Sequence, residues 1–313
     1  MATRGLTPTL AAGLVVLSLC ACQPMPMPGA LDVVLPPGEG LSADISPTSR
    51  ALQEHYGRVQ QGYLARGLLR VDGGGPDATF TRRQLVDNFM RIAFFEEFTR
   101  VGNRIVSRQA ESHLHRWEGP IRMQVHFGSS VSQEMRNRDR VFIARLARRL
   151  SALTGVPITL TSRRVNFHVF VVNEDERRAM GPVLRAIHSG IDASTVSKVL
   201  GIRRPTLCLV YATEGRAKGV YAKAVAVVRA EHPMLLRQSC YHEELAQGLG
   251  LPNDSPRVRP SIFNDDEEFA FLTVQDELLL RMLYDRRLRP GMMAAEGRPV
   301  VERIASELLG GEV

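Results

Sequence analysis

Residues 240–254 read CYHEELAQGLGLPND, and the frame in which this stretch is read decides the fold. Counted from His242, the side chain four positions on is Ala246, which offers no donor to a metal. Counted from Glu243, a regular spacing emerges. Glu243 and Gln247 stand at i and i+4, which puts them on one helix face with Cβ atoms roughly 5–6 Å apart. Three residues later comes Gly250, able to turn the chain sharply, and three further comes Asn253, with Asp254 beside it. Glu244 adjoins Glu243 on the same stretch.

Glu243, Gln247 and Asn253 make a poor donor set for a transition metal. A hydrolytic zinc site needs three neutral or anionic ligands and an open position for water. Here the three side chains are one carboxylate, Glu243, and two amides, Gln247 and Asn253. Amide oxygens bind zinc weakly, and oxygen donors of this kind favour calcium, magnesium or manganese. His242 adjoins the frame but projects about 100° away from Glu243 on a helix.

The pattern continues downstream through Ser261-Ile262-Phe263, then Leu272-Thr273-Val274-Gln275-Asp276, then Arg281-Met282-Leu283-Tyr284. Taken together, these elements resemble the metzincins, and the matrixins in particular. The motif H-E-x-x-H-x-x-G-x-x-H is spaced as here, with its histidines written as Glu243, Gln247 and Asn253. Phe263 stands where the methionine of the Met-turn would stand. The same segment, with its ending YDRRLRPGM, also resembles a bacterial lipoprotein family of unknown function. The resemblance implies an α+β, zincin-like fold: a twisted mixed sheet, a 234–249 helix of the active-site type packed under it, and N-terminal helices. It implies a cleft along the edge strand in which an extended peptide could lie by strand addition. With the imidazoles gone, the expected function is a non-catalytic binding or scaffold domain without cofactor. The alternative is a metal-dependent peptidase or hydrolase that holds a divalent cation on an unusual set drawn from His242, Glu243 and Asp254, with Glu244 as general base. A third reading makes the helix structural and the resemblance local.

The chain has 313 residues, 44% hydrophobic and 23% charged, enough for a sizeable core. The net charge of +7 comes largely from arginines in nearly every segment, and aromatics make up 6%. Without a basic cluster, nucleic acid is not expected as a partner; an anionic membrane surface suits the charge. Arg4 precedes a short apolar run at 10–17, a secretory leader too short to span a bilayer. Ala21-Cys22 fits the end of a lipoprotein signal, with Cys22 lipidated. Gln23 after it resembles outer-membrane rather than inner-membrane sorting. The expected order is a signal peptide over 1–22, a proline-rich tether over 23–46, a helical segment over 47–111 and the α+β domain over 112–313. The protein is thus expected on the periplasmic side of the envelope, held to the membrane by lipid and meeting an extended peptide or an envelope protein. In that oxidising compartment Cys208 and Cys240 could pair, although sequence does not show their proximity.

Apolar periodicity predicts helices over 47–70, 81–101, 136–153, 174–187, 233–249, 273–284 and 300–309, and strands over 116–127, 166–172, 207–211 and 222–228. His113 and His115 alternate about Leu114 with no third ligand in view, so both are expected at the surface. His168, set among apolar residues, is expected to be structural. The acidic run 264–268 is expected to be a solvated loop.

Overall fold

The computed structural model describes residues 1–2, 45–101, 104–188 and 190–310. The leader, Cys22 and the tether up to residue 44 lie outside the described residues. In chain order, α1 (Pro47–Ala65) and α2 (Arg82–Ala93) precede an antiparallel pair, β1 (Phe95–Val101) and β2 (Arg104–Glu111). Next come β3 (Ile121–Phe127), α3 (Gln133–Thr154), β4 (Ile158–Leu160) and β5 (Phe167–Val172). Three short helices follow, α4 (Glu174–Ala179), α5 (Gly181–Ile187) and α6 (Ala193–Leu200). The chain finishes with β6 (Cys208–Glu214), β7 (Tyr221–Arg229), α7 (Met234–Gln247), α8 (Val274–Leu283) and α9 (Ala294–Leu308). Among the described residues no helix is long and apolar enough to cross a membrane.

The architecture is α+β around a five-stranded mixed sheet of order β4-β3-β5-β7-β6. β3 runs parallel to β4 and β5, β5 runs parallel to β7, and β6 closes one edge antiparallel to β7. The central strand reads FHVFVV and is buried at every position, as a strand covered on both faces must be. Its side chains alternate between two cores. Phe167, Val169 and Val171 join the larger cluster with Ile143, Leu146 and Leu150 of α3 and with Tyr241 and Leu245 of α7. Phe170 and Val172 face the smaller cluster, with Met180, Leu184, Val196 and Val199 around α4–α6. Burying each such side chain stabilises the fold by about 1.5–3 kcal/mol.

The helix expected over 81–101 is shorter than the periodicity predicts. α2 stops at Ala93, and the aromatic and β-branched run that follows pairs as β1 with β2. Leu85, Phe89 and Ile92 of α2 belong to the larger core. The helix expected over 174–187 is broken at Met180, because Pro182 lacks the N–H to continue it, and resumes as α5.

α7 is enclosed on most sides, so its polar residues must find partners inside the protein. Arg237 forms a two-toothed pair with Asp139 of α3, at 2.7 and 3.2 Å, and also donates to the His232 carbonyl. Tyr241 Oη donates to the same Asp139 carboxylate at 2.8 Å. His242 Nδ1 accepts the Leu272 N–H at 3.1 Å, and its ring stacks on Phe271. Burial pushes that imidazole down to about 3, so His242 is a neutral packing residue pointing away from the Glu243 face.

Candidate functional site

The last turn of α7 is anchored by side chains from distant segments. Trp117 Nε1 donates to the Gly248 carbonyl at 2.8 Å, and Tyr284 Oη donates to the Leu249 carbonyl at 2.8 Å, so carbonyls at the helix end are satisfied. Gly250 then turns with φ +124°, and a Cβ built there would lie 2.1 Å from the His115 carbonyl oxygen. Only glycine allows this approach. Beyond the turn, Asn253 is fully enclosed and donates through Nδ2 to the Arg91 carbonyl at 2.8 Å, fastening the loop to α2. Asp254 is the residue that meets Gln247, whose Nε2 lies 2.8 and 2.9 Å from its two carboxylate oxygens. The 261–263 turn reaches the same loop, since the Ser255 N–H donates to the Phe263 carbonyl. Asp276 holds that turn by accepting from Ser261 Oγ, the Ile262 N–H and the Thr273 N–H and hydroxyl.

These residues do not fit a zinc centre in the metzincin frame. Gln247 directs its amide nitrogen at Asp254, and Asn253 is turned to α2. Both amides are engaged with other partners through their nitrogens, and among the described residues the potential ligands gathered around Glu243 are Cys208 and Glu244, with no imidazole. Cys208 Sγ lies 3.9 Å from Glu243 Oε2, but it is bonded to Cys240 and supplies no thiolate.

The frame instead borders a cavity of about 560 Å³ that runs along β6. α7 contributes Glu243, Glu244 and Gln247; the following loops contribute Asp254, Asp265 and Glu267; the ends of β1 and β6 contribute Glu96 and Glu214. Thr195 and Lys198 of α6 form part of the opposite wall. Apart from His115 and Lys198, the charged residues of the lining are carboxylates, in a chain of net charge +7. A concave wall of one sign concentrates potential and draws in cations. Burial, with Asp265 and Asp266 adding to it, pushes Glu267 up to about 7. The acidic run is therefore not simply a solvated loop: Asp265 and Glu267 face the cavity, and Glu268 pairs with Arg70 and Arg259.

At the far end of β6 the structure brings together three groups that the sequence keeps apart. His113 Nε2 and His115 Nε2 converge on Glu214 Oε1, at 2.6 and 2.7 Å. A register shift between Thr213 and Glu214 bends β6 there and aims the carboxylate. Burial acts to raise Glu214, but the Gly219 N–H and the two imidazoles outweigh it and hold the carboxyl below its usual range. Burial and the neighbouring His113 lower His115, which packs face to face on Tyr221. Its Nδ1 is enclosed without a hydrogen-bond partner among the described residues, which leaves the ring proton on Nε2.

Residues 82–303 match a family model described as "Protein of unknown function (DUF2927)". The chain belongs to the DUF2927 family. The match opens at α2 and closes within α9, so the family unit takes in the five-stranded sheet, the smaller core, most of the larger core and the whole cavity lining. No curated protein and no solved structure matches the chain.

Within this DUF2927 unit the Cys208–Cys240 disulfide ties the start of β6 to α7, the two elements that face the cavity. It closes a loop with a sequence separation of 32, for which chain entropy gives roughly 3–4 kcal/mol. The Cys208→Ser/Cys240→Ser variant is expected to lose that much in urea unfolding, and a loss below about 1 kcal/mol would exclude a stabilising role. His168 is enclosed against His126, with nitrogens 3.0 Å apart, and burial pushes it down to about 3. Glu214 was the residue sequence reasoning missed. It lies 101 and 99 positions from the two histidines, and no local pattern announces it.

Proposed function

We propose that this domain is a zincin-like binding module of the cell envelope, without peptidase activity, that takes an extended cationic polypeptide segment along the outer edge of β6. The observation that carries the reading is the meeting of an edge strand with a carboxylate-lined cavity. An edge strand offers backbone N–H and C=O groups to an incoming chain, and the cavity offers pockets for alternate side chains. Lysine or arginine suits those pockets, since a hydrogen bond to a charged partner contributes about 1.5–3 kcal/mol.

Several features support a zincin ancestry. A mixed sheet with an antiparallel edge strand, a helix carrying the Glu243/Gln247 face, a glycine turn and a buried 261–263 turn occur together and in order. The donor chemistry of Gln247 and Asn253 argues against a retained zinc. The leader-like N-terminus and the disulfide favour an oxidising compartment outside the cytoplasm, with Cys22 as the anchor.

The test is fluorescence anisotropy with labelled lysine-rich and glutamate-rich peptides of equal length. The lysine-rich peptide is expected to bind at least about tenfold more tightly, and Glu243→Gln/Glu244→Gln is expected to weaken it by about tenfold or more. Backbone N-methylation at alternate positions should abolish binding, because it removes the strand-pairing donors. Equal affinity for the two peptides would sink the cationic half of the reading. Casein should remain intact with or without added divalent metal; metal-dependent cleavage lost in Glu244→Gln would overturn the non-catalytic half.

A further inference from the structure

We infer that His113, His115 and Glu214 form a binding site for a divalent transition-metal ion such as zinc, at the Glu214 end of the cavity. This site is separate from the frame on α7, and it does not depend on the binding function proposed above. Cys208, beside Glu243, opens β6, and Glu214 closes it, so the two clusters stand roughly 20 Å apart along the strand.

The donor chemistry is what the α7 frame lacks. Two imidazoles and a carboxylate suit zinc and its neighbours in the first transition series, and three protein donors leave a position open toward the cavity. The geometry is close to that of a loaded site. The three donor atoms lie within 4.8 Å of one another, and both imidazole nitrogens approach the carboxylate oxygen at 2.6 and 2.7 Å. Zinc holds such atoms at about 2.0–2.2 Å, which sets tetrahedral donors about 3.3 Å apart, so the cluster must open by about 0.6 Å. Glu214 can supply that movement, because its side chain is 31% exposed and ends a strand. Glu96 Oε1, 3.9 Å from His115 Nε2, stands near enough to add a fourth donor. For the metal to bind, each neutral imidazole moves its ring proton from Nε2 to Nδ1 by exchange with water, which frees the Nε2 lone pair with no net proton release, and the Glu214 carboxylate stays as a ligand throughout.

The backbone around the cluster is fixed before any ion arrives. The Leu114 N–H donates to the Met292 carbonyl and its own carbonyl accepts from Gly291, while the Arg116 N–H donates to the Gly219 carbonyl. Gly219 is held at φ +74°, where an added Cβ would lie 2.5 Å from the Leu114 carbonyl. The histidine-bearing segment is thereby locked between two loops, and the cost of ordering the donors is met by the fold.

The experiment is calorimetric titration of the full chain, stripped with chelator, using zinc chloride alone. Visible absorption of bound Co²⁺ supplies a second readout of coordination. One zinc per chain is expected, with tetrahedral or five-coordinate cobalt bands. His113→Ala and Glu214→Gln should each weaken binding by about 100-fold or more, and Glu243→Gln/Glu244→Gln should leave it within about threefold. His113 is partly exposed, so its variant tests the site even if the Glu214 variant folds poorly. Failure of both ions to bind saturably would overturn the inference, leaving the cluster as hydrogen-bonded histidines only. Binding that survives both His113→Ala and Glu214→Gln would overturn it equally. Failure of the unsubstituted chain to bind the lysine-rich peptide, with its zinc affinity intact, would count against the proposed function alone.

Discussion

Gly250→Ala is expected to destabilise the protein by at least about 4 kcal/mol, enough to remove most of the soluble yield. Two costs add. A φ of +124° is a conformation that L side chains rarely adopt, and the added methyl would meet the His115 carbonyl oxygen at 2.1 Å. That oxygen is backbone, so no rotamer change relieves the contact. The same turn carries the chain from α7 to Asn253 and Asp254, so any relief would shift one wall of the cavity. Urea unfolding of the purified variant measures the effect. Gly57→Ala is the control, because Gly57 lies inside α1 with nothing within 4 Å of an added Cβ. It should be neutral or stabilising by about 0.5–1 kcal/mol. Equal behaviour of the two variants would refute the argument from the turn.

The second large effect belongs to Asp139. This carboxylate is fully enclosed and serves both Arg237 and Tyr241, so it fastens α3 to α7. Asp139→Ala leaves a buried guanidinium without its counter-charge, for which about 3–5 kcal/mol of lost stability is expected. The pair as a whole is a different matter, since taking two charges out of water offsets much of their attraction. Asp139→Leu combined with Arg237→Met should therefore recover most of the loss. Chemical denaturation of the single and double variants checks both statements. A cost below about 1 kcal/mol for Asp139→Ala would mean that water reaches Arg237.

How much could be read in advance depended on the range of the interaction. The FHVFVV run of β5 and the apolar stripe of α3, stopped by Gly155 in the left-handed conformation, carry their structure in local pattern. The frame of Glu243, Gln247 and Gly250 was legible for the same reason, because helical spacing fixes which side chains share a face. That rule lapses at Gly250. Past a φ of +124° sequence spacing no longer gives direction, and it is the next residue, Asp254, that faces Gln247, while Asn253 turns to α2. Short elements also escaped: β4 has three residues and α6 has eight, too few for periodicity to register. The cluster at Glu214 was beyond reach altogether, because only the pairing of β6 with β7 and the loop at Gly219 bring that carboxylate to the histidines.

The chain has one tryptophan, and the fold places it at the end of α7, where its indole N–H holds the Gly248 carbonyl and its ring lies against Phe167 and Tyr221. The protein thus carries an intrinsic optical reporter bonded to the carbonyl two residues before Gly250. Its emission senses the environment at one known place, and Tyr221 beside it lines the cavity, so a ligand entering there is expected to shift the emission of unlabelled material.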